Sequence, residues 1–446
     1  MQQSNAGWRG AFAVYAQTRV LGMILLGFSA GLPYSLVSST LSAWLADEDT
    51  SLSVIGYFSL VSIAYSVKVF WAPVIDRLRL PLLYRWLGIR RSWMLLAQLG
   101  VAGGLFVLSS LDLHQNLHLI ALLAVFVAFC SATQDIAIDA YRIEAVLPEY
   151  QGAMAATYVF GYRLALLAAG AGVLYIAEFI GWTVAYQAMS SAMLIGICTT
   201  LAITEPDHAT DTRVQAIEQQ IESALGVDKT GRHWFGKLLK WFSDAVVSPF
   251  VEFFQRNRQA AIWILLLIAV YKLSDMAMGV MAIPFYLDLG FSKKDIADVS
   301  KVFGFFMTIF GTSFGGLLVA RFGIMPPLLC GAILAALTNL LFAALAMTKP
   351  SVMLLAGVIS IDNLSGGVAA AALIAYLSSL TNTAYTATQY ALFSSLMTLP
   401  AKIVGGFSGN VAGQYGYPAF FIYSAIIGLP AIALVILLMR RPVNSG

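Results

Sequence analysis

The chain has 446 residues, of which 59% are hydrophobic and 11% charged, with a formal net charge of +3. A water-soluble domain carries roughly 25% charged residues, so most of this surface must face lipid rather than water. The charge excess is too small for a nucleic-acid binder. Cys130, Cys198 and Cys330 stand apart in apolar runs, with neither metal spacing nor a disulfide framework. No metal or cofactor is expected.

Residues 1–19 are mixed polar and do not read as a cleavable leader. A helix crosses the hydrocarbon core with about 20 apolar residues. Runs of that kind predict spanning helices 1 to 6 near 20–38, 54–74, 93–110, 118–140, 153–176 and 184–203. A polar interval follows over 205–260. Within it, His233 to Gln255 sets Trp234, Phe235, Leu238, Leu239, Phe242 and Val246 at helical spacing, with Lys237 and Lys240 between them. That pattern fits an amphipathic helix, lying on the membrane surface or packed on the cytoplasmic loops. Helices 7 to 12 are predicted near 261–284, 299–319, 326–346, 352–377, 387–408 and 418–439, of which 387–408 is the most polar. The expected architecture is an all-α membrane protein of twelve spanning helices. A six-helix bundle over 1–204 and a second over 261–446 are joined by a cytoplasmic linker over 205–260.

Lysine and arginine set the orientation. With both termini in the cytoplasm, eighteen of these cations fall on the inner side, and only Lys293, Lys294, Lys301 and Lys349 fall outside. The halves share a signal. Asp76-Arg77, with Arg90-Arg91 after it, stands between helices 2 and 3; Gly316, Arg321 and Gly323 stand between helices 8 and 9. Each copy puts an arginine at the cytoplasmic exit of the second helix of its half, and Arg77 and Arg321 lie 244 residues apart. This resembles the G-x-x-x-D-R-x-G-R-R element of the major facilitator superfamily, although the first copy lacks the glycines and the second the aspartate. Such a fold implies two bundles that rock about a midplane site, with Asp76, Arg77 and Arg321 as candidates for the cytoplasmic gate.

Ionisable groups in hydrocarbon cost about 2.5–3.5 kcal/mol each on insertion scales, so they tend to pair, face a wet cavity or mark a transport path. The predicted spans carry Lys68 on helix 2, Asp135 and Asp139 on helix 4, and Arg163 on helix 5. They also carry Lys272 and Asp275 on helix 7, Asp362 beside Asn363 on helix 10, and Lys402 on helix 11. Lys272 and Asp275 are three apart and share a helix face. A carboxylate near cations in a cavity can change protonation as access alternates, which makes Asp135 and Asp275 the leading proton carriers, followed by Asp139 and Asp362. No glycine-rich phosphate loop appears, so a gradient-driven mechanism is favoured over ATP hydrolysis. His114, His118, His208 and His233 fall in loops without a zinc pattern, and no nucleophile–base set is visible. An enzyme is not expected.

Several stretches, in order from helix 1 to helix 11, resemble one family. They are Gly27-Phe-Ser-Ala-Gly-Leu-Pro33 through Trp44, Lys68-Val-Phe-Trp-Ala-Pro73 with Asp76-Arg77, and Ser131-Ala-Thr-Gln-Asp-Ile-Ala-Ile-Asp139-Ala-Tyr-Arg142. Gly161-Tyr-Arg-Leu164, Tyr271-Lys-Leu-Ser-Asp275, Asp362-Asn-Leu-Ser-Gly-Gly367 and Ala387-Thr-Gln-Tyr-Ala-Leu-Phe-Ser394 follow. Together they look like the AmpG-type muropeptide permeases of the major facilitator superfamily. Asp362 departs from the longer glutamate common there, and Lys402 from arginine. The resemblance implies import of N-acetylglucosaminyl-1,6-anhydro-N-acetylmuramyl peptides from periplasm to cytoplasm by a monomer in a Gram-negative inner membrane, driven by protons. Arg163, Lys272 and Lys402 would meet cargo carboxylates, with Lys68 as a further cation. Gln134, Asn363 and Gln389 would bind hydroxyls or amides, and Tyr34, Trp44 and Tyr271 would stack on sugars. Siderophores and acyl-coenzyme A are alternative anionic cargoes on the same fold.

Overall fold

The computed structural model describes residues 14–48, 50, 58–113, 115–147, 150–206 and 247–440, and every regular element among them is helical. α1 runs over Thr18–Leu36 and continues as Ser39–Asp47. α2 is a chain of short pieces, Ser59–Ile63, Ala64–Val67, Lys68–Phe70 and Ala72–Arg77. Leu83–Ser109 breaks at Gly88; α3 is the part after that glycine, and α4 is Leu117–Glu144. α5 comprises Gln151–Leu167, a wider turn Ala168–Gly172, and Val173–Phe179. α6 comprises Trp182–Ala192 and Leu194–Ala202. A short linker helix, Ser248–Asn257, precedes α7, which is split into Ala260–Tyr271 and Leu273–Asp288. α8 is built from Lys293–Ile296, Ala297–Phe303 and Gly304–Phe322, and is followed by α9, Met325–Leu345, and α10, Val352–Ser379. Thr386–Ile426 breaks at Gly416; α11 is the part before that glycine, and α12 is the part after it together with Leu429–Arg440.

Ten helices among the described residues are long and apolar enough to cross a membrane. The two predicted spans outside that set are α2, which is interrupted, and most of α11, which is polar; both still run as helical segments where the sequence anticipates them. The twelve-helix expectation is consistent with this layout. The predicted linker stripe from Trp234 to Val246 lies outside the described residues.

The internal repeat is visible in the backbone. Gly88 and Gly323 both have φ near +80° at the link between the second and third helices of their halves, and Gly181 and Gly416 have positive φ just before the sixth. Both pairs are separated by 235 residues, and each has a backbone conformation that L side chains rarely adopt. The first helix of each half ends in an aspartate that accepts a hydrogen bond from the aromatic residue opening the sixth. Trp182 Nε1 donates to Asp47 at 2.8 Å, and Tyr417 OH donates to Asp288 at 2.6 Å. Arg77 and Arg321 are spaced more widely than this register because the α2–α3 connection is longer than the α8–α9 connection.

Small residues set the helix spacing. A Cβ on Gly161 of α5 would stand 1.8 Å from the Ile24 carbonyl oxygen of α1, and one on Gly27 would stand 2.2 Å from the Tyr158 oxygen. Backbone touches backbone here, so the neighbour cannot move aside. Gly161→Ala should force α1 and α5 apart at a cost on the order of 1–3 kcal/mol. The thermal midpoint of the purified protein in detergent should fall, whereas Gly103→Ala, which meets nothing within 4 Å, should leave it unchanged.

Candidate functional site

The two halves meet chiefly at the end of the molecule that carries the linker helix. Asp76, at the end of α2, accepts hydrogen bonds from Ala387 N at 3.0 Å, Thr388 N at 2.6 Å and Thr388 Oγ1 at 2.6 Å. These amides open α11, where helix N–H groups have no partner in their own helix and the dipole is positive. Arg90 of α3 closes the other side of the same carboxylate at 2.8 Å and also pairs with Glu144 of α4 at 2.7 Å. A carboxylate this buried is tolerable only because each side is answered by a donor. Around it, Arg77 lies over the Tyr385 ring, while Arg142 donates to Ser378 Oγ of α10 at 2.8 Å and lies over Tyr390 of α11. Ala387 and Ala391 of α11 pack into an apolar cluster made otherwise by first-half residues such as Ile138 and Ala153.

A second crossing joins α5 to α8. A Cβ on Gly152 would stand 2.8 Å from Val319 and 3.1 Å from the Gly316 oxygen, and Tyr15 OH donates to Ser313 O at 3.1 Å. Arg321 takes no part in this crossing among the described residues; its guanidinium lies over the adjacent Phe322 ring. The second-half contact is made by Gly316 and Val319 instead.

Away from this end, the charged groups gather at mid-depth. At 1.5 Å per residue, Asp135 stands about 13 Å from the linker-end terminus of α4, Arg163 about 18 Å from that of α5 and Asp362 about 25 Å from that of α10. Lys68 pairs with Asp139 at 3.6 Å and lies within electrostatic reach of Asp135. Asp139 also meets Arg142 at 3.4 Å. Asp135 Oδ1 and both polar atoms of the Gln134 amide are buried without a hydrogen-bond partner among the described residues. Unanswered buried polar atoms of this kind call for water or a ligand.

In the second half, Lys272 occupies the break inside α7, with φ −97° and ψ 0°, and its ammonium meets Asp275 at 2.5 Å. Both side chains keep about a quarter of their surface open (21% and 28%). Asp362 accepts from Thr338 Oγ1 at 3.0 Å and feels both Asp275 and Lys272. Arg163, from the first half, is exposed and within electrostatic reach of Asp275 in the second. Lys402 is also exposed and donates to Ser66 Oγ of α2 at 2.5 Å, a further contact between halves. Tyr34 is 38% exposed, edge-on to Tyr65.

Four of the residues assigned to cargo by sequence are committed elsewhere. Gln389 lies at the linker end; its amide donates to Pro249 O and Glu252 and accepts from Asn382 N. The Asn363 amide is used between α8 and α10, accepting from Thr308 Oγ1 and donating to Ile359 O. Trp44 is 4% exposed and stacks on Trp182 and Tyr186 in the first core. Tyr271 is buried and donates to Leu328 O, pinning α7 to α9. Conversely, Arg142, Glu144 and Thr388 emerge as closure residues. Arg142 reads in sequence as one more loop cation, and nothing local marks its reach to α10 and α11.

Two repeated helical halves, closed on each other at one end and carrying paired charges at mid-depth, define a polytopic membrane carrier. The chain matches the model of the Major Facilitator Superfamily over residues 23–405. It is 34% identical over 425 residues to an anhydromuropeptide permease of Escherichia coli K12, covering 95% of this chain and 80% of that one. It is 32% identical over 430 residues to the "Putative transporter AmpG 4" of Rickettsia felis, covering 96% and 98%. An uncharacterized protein of Haemophilus influenzae is 32% identical over 414 residues, 91% of each chain. The protein belongs to the AmpG-type family of the major facilitator superfamily and is a multi-pass membrane transporter, not an enzyme.

Asp76→Asn keeps the size of the side chain and removes its charge. Hydrogen bonds to charged groups contribute about 1.5–3 kcal/mol, so the closure should weaken by that order. In a cysteine-free background, a single cysteine at Ala391 should then be alkylated roughly tenfold faster or more.

Proposed function

We propose that this protein imports peptidoglycan fragments, N-acetylglucosaminyl-1,6-anhydro-N-acetylmuramyl peptides, from periplasm to cytoplasm across a bacterial inner membrane. It works as a monomer with both termini cytoplasmic, by proton symport and alternating access, and supports cell-wall recycling. The observation that carries the cargo is the match over 95% of the chain to a relative named anhydromuropeptide permease. The mid-depth charges support the mechanism. Exposed Arg163 and Lys402 are available to anionic cargo, and arginine can grip a carboxylate with two parallel hydrogen bonds.

Lys272 is held by Asp275. When Asp275 takes a proton, its negative charge disappears and the Lys272 ammonium loses its counter-ion. A cargo carboxylate can then take that place, so proton and cargo bind together. Asp135, near Lys68 and Asp139, is the second proposed carrier, and the unanswered Gln134 amide is the proposed ligand for a cargo amide or hydroxyl. The sealed linker end fits a periplasm-facing form.

Proteoliposomes carrying the protein should accumulate anhydro-muropeptide and not ferric siderophore, and a protonophore should stop accumulation. Uptake indifferent to the protonophore overturns the coupling. Asp275→Asn and Arg163→Ala should each lower uptake by about tenfold or more at unchanged membrane insertion. Normal uptake by both removes these residues from the mechanism.

A further inference from the structure

We infer that Glu252 of the linker helix is a positioning residue for the closure at the linker end, acting through the turn between α10 and α11. The helix Ser248–Asn257 leaves Glu252 only 4% exposed, and a carboxylate so placed needs donors around it. It has Gln389 Nε2 at 2.7 Å and Asn382 Nδ2 at 3.1 Å, and it pairs with Arg256 at 2.8 Å. Its partners are themselves braced. Gln389 Oε1 accepts from Asn382 N at 2.7 Å, Asn382 Oδ1 accepts from Ala384 N at 2.9 Å, and Arg256 Nη2 donates to Leu380 O at 2.6 Å. Phe253 adds an apolar contact with Phe393 of α11, ring centres 5.2 Å apart.

Asn382 and Gln389 bracket the segment that the first half holds. Between them lie Tyr385, covered by Arg77, and the Ala387 and Thr388 amides, caught by Asp76. The linker helix therefore grips the α10–α11 turn from one side while the first bundle grips it from the other. The Asp76 bonds demand that the opening amides of α11 point one way, and Glu252 holds the turn that aims them. None of its partners belongs to the mid-depth charged set. Loss of Glu252 relaxes the turn and tips the molecule toward the form open at the linker end. The inference rests on alternation between the two bundles and not on the identity of the cargo.

The test uses the full chain in membranes, cysteine-free, with one reporter cysteine at Ala391 in the closure or at Tyr34, which is 38% exposed and about 24 Å along α1 from its linker-end terminus. Glu252→Ala should raise the alkylation rate at 391 roughly fivefold or more and lower it at 34. Glu252→Gln, which keeps size and one acceptor oxygen, should fall between Glu252→Ala and the parent; it carries the test if Glu252→Ala fails to insert. A rise at both positions signals general loosening and overturns the proposal. So does a parent-like rate at 391 in both Glu252 variants while Asp76→Asn is fast. If Asp76→Asn is also unchanged, the closure reading itself falls, and this inference with it.

Discussion

A charge inside hydrocarbon must be answered by another charge, a donor or water. That constraint orders nearly everything polar in this protein. Arg90 is answered by Asp76 and Glu144, Lys68 by Asp139, and Lys272 by Asp275. Each pair ties two helices or spans a break in one. Asp135 and Gln134 are among the places where the answers run short, and exposed Arg163 and Lys402 each reach toward the opposite half, to Asp275 and Ser66. The carboxylates Asp76, Glu144 and Glu252 near the linker end are each met by an arginine, whereas Asp135 Oδ1, deeper along α4, has no hydrogen-bond partner among the described residues.

The repeat makes the closure instructive. The α2–α11 and α5–α8 crossings occupy equivalent places, since Gly152 precedes Ala387 by the same 235 residues that separate the paired glycines. The chemistry is nevertheless different. One crossing is a carboxylate on helix-end amides, flanked by Arg90. The other is Gly152 against Gly316 and Val319, with a single tyrosine bond. The missing aspartate in the second sequence copy is thus a difference in how the surfaces meet. Glycine permits the close approach of α5 and α8.

Much of the fold was legible because lipid as solvent leaves few options. Long apolar runs must be helices, and the ten helices long and apolar enough to cross a membrane fall where the sequence anticipates spans. The broken α2 and the polar α11 are the spans that hydropathy renders least well, because their polar faces turn toward the other half. Within the site, Lys272 with Asp275 was readable from three-residue spacing, and Asp76 from its position after a span. Gln389 and Asn363 misled because an amide in a span looks the same whether it braces two helices or awaits cargo. Only the geometry of Asn382, Glu252 and Thr308 distinguishes the cases. Arg142 was obscured for a similar reason: its partners Ser378 and Tyr390 are more than two hundred residues away in sequence.

The contrast between the two crossings bears on how the proposed alternation would proceed. Gly152 against Gly316 and Val319 is an apolar contact with no ion pair among the described residues, so α5 and α8 can roll on each other while staying in touch, in the manner of a fulcrum. The α2–α11 crossing is a latch, whose directional bonds are either made or broken. A molecule built this way pivots along one edge and unfastens along the other, so its mouth at the linker end would widen first beside α11.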